Sequence, residues 1–203
     1  MAITRKVTRQ QVQRYLNYKG FDTKQLDALV HLFSQDLPQT VDTTGGAGFT
    51  GGTGGYYKTA VRRVGDIITT QFHFDLTGLG SSTTDLDIIG VSTTAAYLGR
   101  VVAAQQGTIF GGRLTCIEAP AGGVTDIDLY SATEATGVFD AGIGTLVETA
   151  LLTSGAAWTS GRSVGLAVVP AAAEYLYLTG GAAGTAATYT AGKFLLELYG
   201  TPE

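Results

Sequence analysis

From residue 57 onward, apolar and polar residues alternate over short stretches that are separated by glycine-containing turns. A period of two is typical of half-buried β-strands. In the stretch 66–76, Ile68, Phe72 and Phe74 share one face, which is the predicted core side, and His73 lies on the opposite face. The pattern predicts ten strands, at 57–61, 66–76, 86–91, 97–104, 108–119, 126–131, 146–152, 163–169, 174–179 and 193–199. Antiparallel strands of this length and spacing form a sandwich or a barrel.

The periodicity is helical before residue 38. Thr8 and Asp22 are each followed three residues later by glutamine, which is a capping-box pattern, and Gly20 and Pro38 are natural stops. The apolar residues of the second segment recur at helical spacing, at Leu26, Leu29, Val30 and Phe33. The residues 1–38 therefore predict two short helices that precede the β-rich body.

A glycine-rich run separates these two parts. Seven of the eleven residues 45–55 are glycine, and Gly46, Gly48 and Gly51 match the spacing G-x-G-x-x-G. A dinucleotide site needs that motif between a strand and a helix, and here it follows a predicted helix and a proline. We therefore interpret residues 39–56 as a flexible linker between a helical arm at 1–38 and a body at 57–203.

Charge divides along the same boundary. Charged residues make up only 15% of the chain, against a usual share of about 25%. Residues 1–24 hold six basic side chains and one acid, a net charge of +5, whereas the rest of the chain carries −9. A weakly charged surface is typical of a protein covered by partners. The basic arm suits an acidic protein surface or phosphate.

A helix-turn-helix DNA reader is an alternative interpretation of the arm. Such modules usually pack three helices, and their recognition helix carries Arg, Asn or Gln towards the groove. The second predicted helix, DTKQLDALVHLFSQD, carries acids instead. A docking arm that binds protein rather than nucleic acid is the better interpretation, with Arg9 and Arg14 supplying charge.

Candidate catalytic groups are few. Residues 161–165 match the nucleophile-elbow pattern G-x-S-x-G around Ser163. In α/β-hydrolases the histidine base follows the serine, but His31 and His73 both precede it. We interpret the motif as a turn that enters a strand, and we expect no enzymatic activity.

Candidate metal ligands are equally sparse. Two histidines and one cysteine in separate elements do not give a usual zinc set. Asp85 with Asp87, and Asp126 with Asp128, place carboxylates at a spacing of two, which would suit Ca²⁺ if loop carbonyls joined them. Surface acids that flank a buried residue explain the same spacing. We expect no resident cofactor, with calcium as the open alternative.

The thiol of Cys116 falls in an alternating apolar stretch and is predicted to be buried. No stretch reaches the roughly 20 apolar residues of a membrane span, and the first residues lack the apolar region of a secretory signal. We expect synthesis in a reducing cytoplasm and no membrane partner.

Several stretches of the body resemble a group of virion structural proteins of tailed phages that infect aquatic bacteria. They are DLTGLGSSTTDLDIIG (75–90), QQGTIFGG (105–112), CIEAPAGGVTDIDLYSATEATG (116–137), EYLYLTGGAAGTAATYTAG (174–192) and KFLLELYG (193–200). The resemblance implies a jelly-roll-like antiparallel β-sandwich that decorates the capsid exterior, often as a homotrimer. The arm lies outside the matching region.

The expected function is accordingly that of a capsid decoration or cement protein. Its partners would be the major capsid protein and other copies of itself, and its location the capsid surface of the virion. The expected docking residues of the arm are Arg9, Arg14, Leu26, Leu29, Val30 and Phe33. The alternative is a head-fibre or tail-associated module that binds host glycans through aromatic loops around Trp158 and Tyr189.

Overall fold

The structure of the chain is a computed structural model that describes residues 45–52, 56–184 and 186–202. Within these residues the chain is mainly β, and all of its strand pairs are antiparallel. The strands are β1 (Tyr57–Val64), β2 (Ile67–Asp75), β3 (Gly80–Ser81), β4 (Gly99–Arg100), β5 (Thr108–Ala121), β6 (Ile127–Ala132), β7 (Glu148–Leu152), β8 (Ser163–Gly165), β9 (Tyr175–Gly180), β10 (Ala187–Thr188) and β11 (Ala191–Thr201). Two four-residue helices, α1 (Ala47–Thr50) and α2 (Ala103–Gln106), and a 3₁₀ turn (Ile143–Thr145) complete the described elements.

The largest sheet has five strands in the order β1-β2-β11-β5-β8. Its central strand, β11, alternates buried and half-buried residues because one face contacts the core. Phe72 on β2 pairs with Leu196 on β11, which pairs with Leu114 on β5, and all three are fully buried. These rows of apolar side chains form one wall of the main core.

The second sheet has four strands in the order β4-β9-β6-β7. Its Leu129, Leu176 and Leu178 belong to the same core cluster as the five-stranded sheet. Tyr130 and Tyr177 belong instead to a second cluster, which also contains Ile88, Ala96, Ala132 and Ile143. All six residues of β6 are buried, because apolar side chains cover both faces of this sheet.

Two contacts fix which edges of the sheets lie together. The hydroxyl of Tyr57 on β1 donates to the carbonyl of Leu98, directly before β4. The backbone N–H of Ala167, two residues after β8, donates to the carbonyl of Leu151 on β7 over 2.8 Å. Strands β1 and β4 therefore lie along one lateral side of the molecule, and β7 and β8 along the opposite side.

The glycine run differs from the flexible linker that its composition suggests. Phe49 in α1 is fully buried in the main core, and its ring contacts Phe74 edge-on at 5.7 Å between centroids. A Cβ at Gly46 or Gly48 would lie 2.2 Å from the carbonyl oxygen of Ala95 or Thr94. The glycines allow a close approach of two backbones, so the linker interpretation is wrong for residues 45–52.

Two predicted strands are also mostly irregular. The stretch 86–91 forms isolated bridges at Asp87, Ile88 and Gly90 rather than a strand. The stretch 97–104 contains β4 and then enters α2. Both lie along β9 at one edge of the four-stranded sheet, where the N–H of Ile89 donates to Leu178 and the N–H of Leu98 donates to Leu176, so their apolar residues are buried with only a few ladder bonds. Among the described helices, none is long and apolar enough to span a bilayer.

Candidate functional site

The predicted docking residues of the arm lie outside the described part of the chain. They are Arg9, Arg14, Leu26, Leu29, Val30 and Phe33. The other candidate residues lie in the body, which also has exposed surfaces that the sequence did not predict.

Ser163 begins β8, a short edge strand. Its hydroxyl lies 2.8 Å from that of Thr115 on β5. His73 occupies the same row of the sheet, because it pairs with Leu195, which pairs with Thr115, which pairs with Ser163. Three strand spacings separate serine from histidine by about 14 Å, too far for a hydrogen bond. The G-x-S-x-G motif thus forms the turn and strand entry that the sequence predicts.

On the same outward-facing side of the five-stranded sheet, Glu197 accepts hydrogen bonds from neighbouring polar side chains. Gln71 donates to its Oε1 over 3.0 Å, and Arg113 donates to its Oε2 over 2.6 Å. Burial opposes ionisation of this carboxyl, but the hydrogen bonds from Gln71 and Arg113 and the charge of Arg113 outweigh burial and lower the pKa of Glu197. These charges balance each other within the sheet.

The aromatic residues of the proposed glycan site are part of the core. Trp158 is 2% exposed and Tyr189 is 1% exposed. The indole N–H of Trp158 donates to the carbonyl of Ile127 over 2.8 Å, and the hydroxyl of Tyr189 donates to the carbonyl of Val124 over 2.7 Å. Neither ring is therefore exposed for stacking against a sugar. Aromatic residues in a glycine-rich loop looked exposed because the sequence does not reveal what covers them.

Arg162 holds the loop that contains Trp158. Its guanidinium lies 4.9 Å from the centroid of the Trp158 ring. It donates to Ser154 Oγ, Ser154 O, Ala156 O and Ala157 O. One side chain thus satisfies three successive parts of the loop, which identifies Arg162 as a structural residue.

Asp126 and Asp128 flank Gly181 at the end of the four-stranded sheet where β9 ends and β6 begins. A Cβ on Gly181 would lie 2.8 Å from Oδ1 of each aspartate. Asp128 is buried, and its Oδ1 accepts a bond of 2.6 Å from the backbone N–H of Ser154. Burial raises the pKa of Asp128, the Ser154 bond lowers it, and the charges of Asp126 and Asp85 raise it further, so the net shift is upward.

These acids do not assemble into a cation site by geometry. Across residues 45–52, 56–184 and 186–202, no three His, Cys, Asp or Glu side chains are grouped to hold a metal ion. Asp87 instead accepts a hydrogen bond of 2.7 Å from the hydroxyl of Ser82. Asp87 and Asp128 are buried and Leu86 is exposed, so the interpretation as surface acids that flank a buried residue is wrong for these positions.

Replacing Asp128 by asparagine is expected to raise stability at pH 7. The amide keeps an oxygen for the Ser154 N–H and removes a buried charge next to Asp126. Because the folded-state pKa is above the unfolded value, the wild-type penalty is absent below the unfolded pKa and grows as pH rises through the folded pKa. Melting temperatures from pH 3.5 to 8 should show the two proteins converging in acid. A lower melting temperature for Asp128→Asn at pH 7 would contradict this.

The exposed apolar side chains concentrate at one end of the molecule. Strand β4 ends there, α2 leads from it into the start of β5, and β9 and β7 begin at the same level. Six of the nine large apolar residues that the described surface exposes lie at this apolar end, namely Val64, Ile67, Phe110, Val147, Val168 and Val169. Clusters of this kind mark contact surfaces in monomeric folds.

The two lateral sides differ in charge. Strand β1 carries three basic residues, at 58, 62 and 63, and β4 carries Arg100. On the opposite side, β6 and β7 carry no lysine or arginine, and the exposed Glu148 begins β7. The net charge of the body, −9 with the segment before it, does not reveal this separation, because it sums both sides.

No protein-family model matches the chain, and neither a curated protein nor a solved structure shows significant similarity to it.

Proposed function

We propose that the chain is a non-enzymatic virion structural protein that decorates the capsid exterior and stabilises the shell. In this proposal the two sheets form a jelly-roll-like sandwich, the body assembles with other copies as a homotrimer, and residues 1–38 dock on the major capsid protein. The observation that carries it is the apolar end, where six large apolar side chains are exposed together. A protein that works alone rarely leaves such a surface uncovered.

The chemistry-bearing side chains of the body support the same view. Arg162 binds its own loop, Glu197 is bonded by its neighbours, and Ser163 bonds Thr115. Each has a role in holding the fold together. The resemblance of the stretches 75–90 and 116–137 to virion structural proteins adds a second, independent line of support.

The arm supplies the attachment in this proposal. Each exposed ion pair contributes only about 0–1 kcal/mol to binding. Arg9 and Arg14 therefore guide the arm to its binding surface and add little affinity. Leu29 and Phe33 stand at helical spacing in the apolar stripe. Burying each such side chain fully would contribute roughly 1.5–3 kcal/mol.

The proposal predicts that Leu29→Asp with Phe33→Asp releases the protein from capsids. Capsids lacking the protein are mixed with purified variants, and co-sedimentation measures the bound fraction. The matched variant, Arg9→Ala with Arg14→Ala, should still decorate capsids but with a steeper dependence on salt. Normal decoration by the aspartate variant, together with loss in the alanine variant, would show that the arm binds by charge. If the wild-type protein does not bind capsids, the proposed function fails.

A further inference from the structure

The lateral side formed by β1 and β4 is positively charged. We call it the basic side and define it by Lys58, Arg62, Arg63 and Arg100. Among the residues that the structure describes, no acid forms an ion pair with Lys58 or Arg62, and Arg63 reaches only Asp66, at 3.9 Å. The charge of this side is therefore largely uncompensated within the body.

The opposite lateral side, formed by β7, is negatively charged. We call it the acidic side and define it by Glu134 and Glu148, with Val147 between them in space. Glu148 begins β7, is exposed, and pairs with Ala132 of β6. The Oε2 atom of Glu134 accepts a hydrogen bond of 3.0 Å from the N–H of Val147. No basic residue lies on β6 or β7.

Each side also exposes apolar side chains next to its charges. Val64 ends β1 beside the arginines and is 54% exposed, and Ile67 begins β2 across the turn. On the other side, Val147 adjoins Glu148 and is 67% exposed. The apolar end thus meets both charged sides, with Val64 and Ile67 at one corner and Val147 at the other.

We propose that the basic side of one copy binds the acidic side of the next copy. This inference rests on the proposed function, since it specifies how the body self-associates. Arg62 and Arg63 then face Glu148 and Glu134, and Val64 and Ile67 pack against Val147. The charges select the partner surface, and burial of the valines and isoleucine contributes most of the affinity.

The contact is heterologous, because two different surfaces of the same chain meet. Contacts of this kind close into a ring when the rotation between copies divides a full turn, so one interface builds the whole oligomer. A twofold contact of the basic side with itself would instead bring like charges together, which is unfavourable. Lys58 and Arg62 lie at the β1 edge of the outer face of the five-stranded sheet, and the centre of that face is a weaker candidate, since Arg113 and Glu197 already neutralise each other there.

The test is a charge-reversal cycle on the full-length chain, read by sedimentation velocity over a concentration series. Arg62→Glu with Arg63→Glu places acids opposite Glu134 and Glu148, and Glu148→Arg places a base opposite Arg62 and Arg63. Each variant is expected to weaken association at least tenfold, because like charges then face each other. The combined triple variant is expected to recover at least tenfold over Arg62→Glu with Arg63→Glu, since opposite charges meet again.

The matched control is Asp85→Arg, which makes the same change of charge. Asp85 is exposed in the loop next to Gly180, at the end of the four-stranded sheet away from Glu148. This variant should associate as the wild type does. Raising the salt concentration should weaken the wild-type oligomer and leave less difference between it and the reversed variants. Thermal melts verify that each variant is folded, and alanine replacements at 62 and 63 substitute for the glutamates if that variant does not fold.

Three results would overturn the inference. They are a wild-type protein that stays monomeric at all concentrations, reversed variants that associate normally, and a folded triple variant with no recovery. These measurements use the isolated protein, so they are independent of capsid binding. If self-association is lost while capsid binding is kept, the proposal of capsid decoration is unaffected. If capsid binding is lost while self-association is kept, the proposed interface is unaffected.

Discussion

Phe49→Ala is expected to destabilise the protein by about 3–5 kcal/mol, the usual cost of removing a fully buried aromatic ring. The ring is fully buried and makes edge-on contacts with Phe74 and Tyr57 at centroid distances of 5.7 and 6.2 Å. Because domains are stable by only about 5–15 kcal/mol, this loss is a large part of the total. A thermal melt should show a decrease of roughly 6–20 °C.

The neighbouring Ala47 provides the control for Phe49. It is exposed in the same helix, so Ala47→Ser should leave the melting temperature almost unchanged. Phe49→Leu should fall between the two, since leucine fills part of the space. A chain that begins at Gly55 also loses the ring and should be destabilised at least as much as Phe49→Ala. If Phe49→Ala melts like the wild type, residues 45–52 do not belong to the core.

Trp158→Ala is expected to have an effect of similar size, about 3–5 kcal/mol. The indole packs edge-on against Phe194 at 5.5 Å between centroids and donates its N–H to the carbonyl of Ile127. Its loss also removes the surface over which Arg162 lies. Denaturant unfolding, followed by far-ultraviolet circular dichroism, measures the change in the free energy of unfolding.

Two milder variants separate the contributions of this cluster. Trp158→Phe keeps a ring against Phe194 but loses the bond to Ile127, so it should cost clearly less than alanine. Arg162→Lys keeps the charge but does not reproduce the fork that serves Ser154, Ala156 and Ala157, and it should destabilise the loop. If Trp158→Ala leaves stability intact and abolishes glycan binding, the residue belongs to a binding surface after all.

The strands with a clean period of two were predicted well. The sequence placed Phe72 and Phe74 on the core face of β2 with His73 opposite, and the structure confirms this arrangement. Cys116 is buried, as its alternating surroundings indicate. In these strands the local pattern and the tertiary environment agree, because one face contacts the core and the other faces outward.

The pattern failed where segments are buried without regular pairing. In the stretch 86–91, Ile88 and Ile89 are buried on different sides of the chain, in separate clusters. Glycine density predicted a linker at 45–52, although glycines such as Gly48 are needed there for close packing. Flexibility and tight backbone contact require the same residue, so composition alone does not distinguish them. The burial of Trp158 was not predicted for a related reason, since the residues that pack against it, such as Phe194, are distant in sequence.

The position of β11 determines when the molecule can fold. Phe74 pairs with Phe194, 120 residues later, and β5 pairs with the same strand from the other side. Contacts so distant in sequence predict slow folding. During translation, β2 can pair with β1 and β5 with β8, but the edges that these strands offer to β11 stay unpaired until residues 191–201 have been synthesised and have left the ribosome. A prematurely terminated chain lacks the strand that joins the two halves of the sheet, so only chains synthesised through β11 can complete the five-stranded sheet.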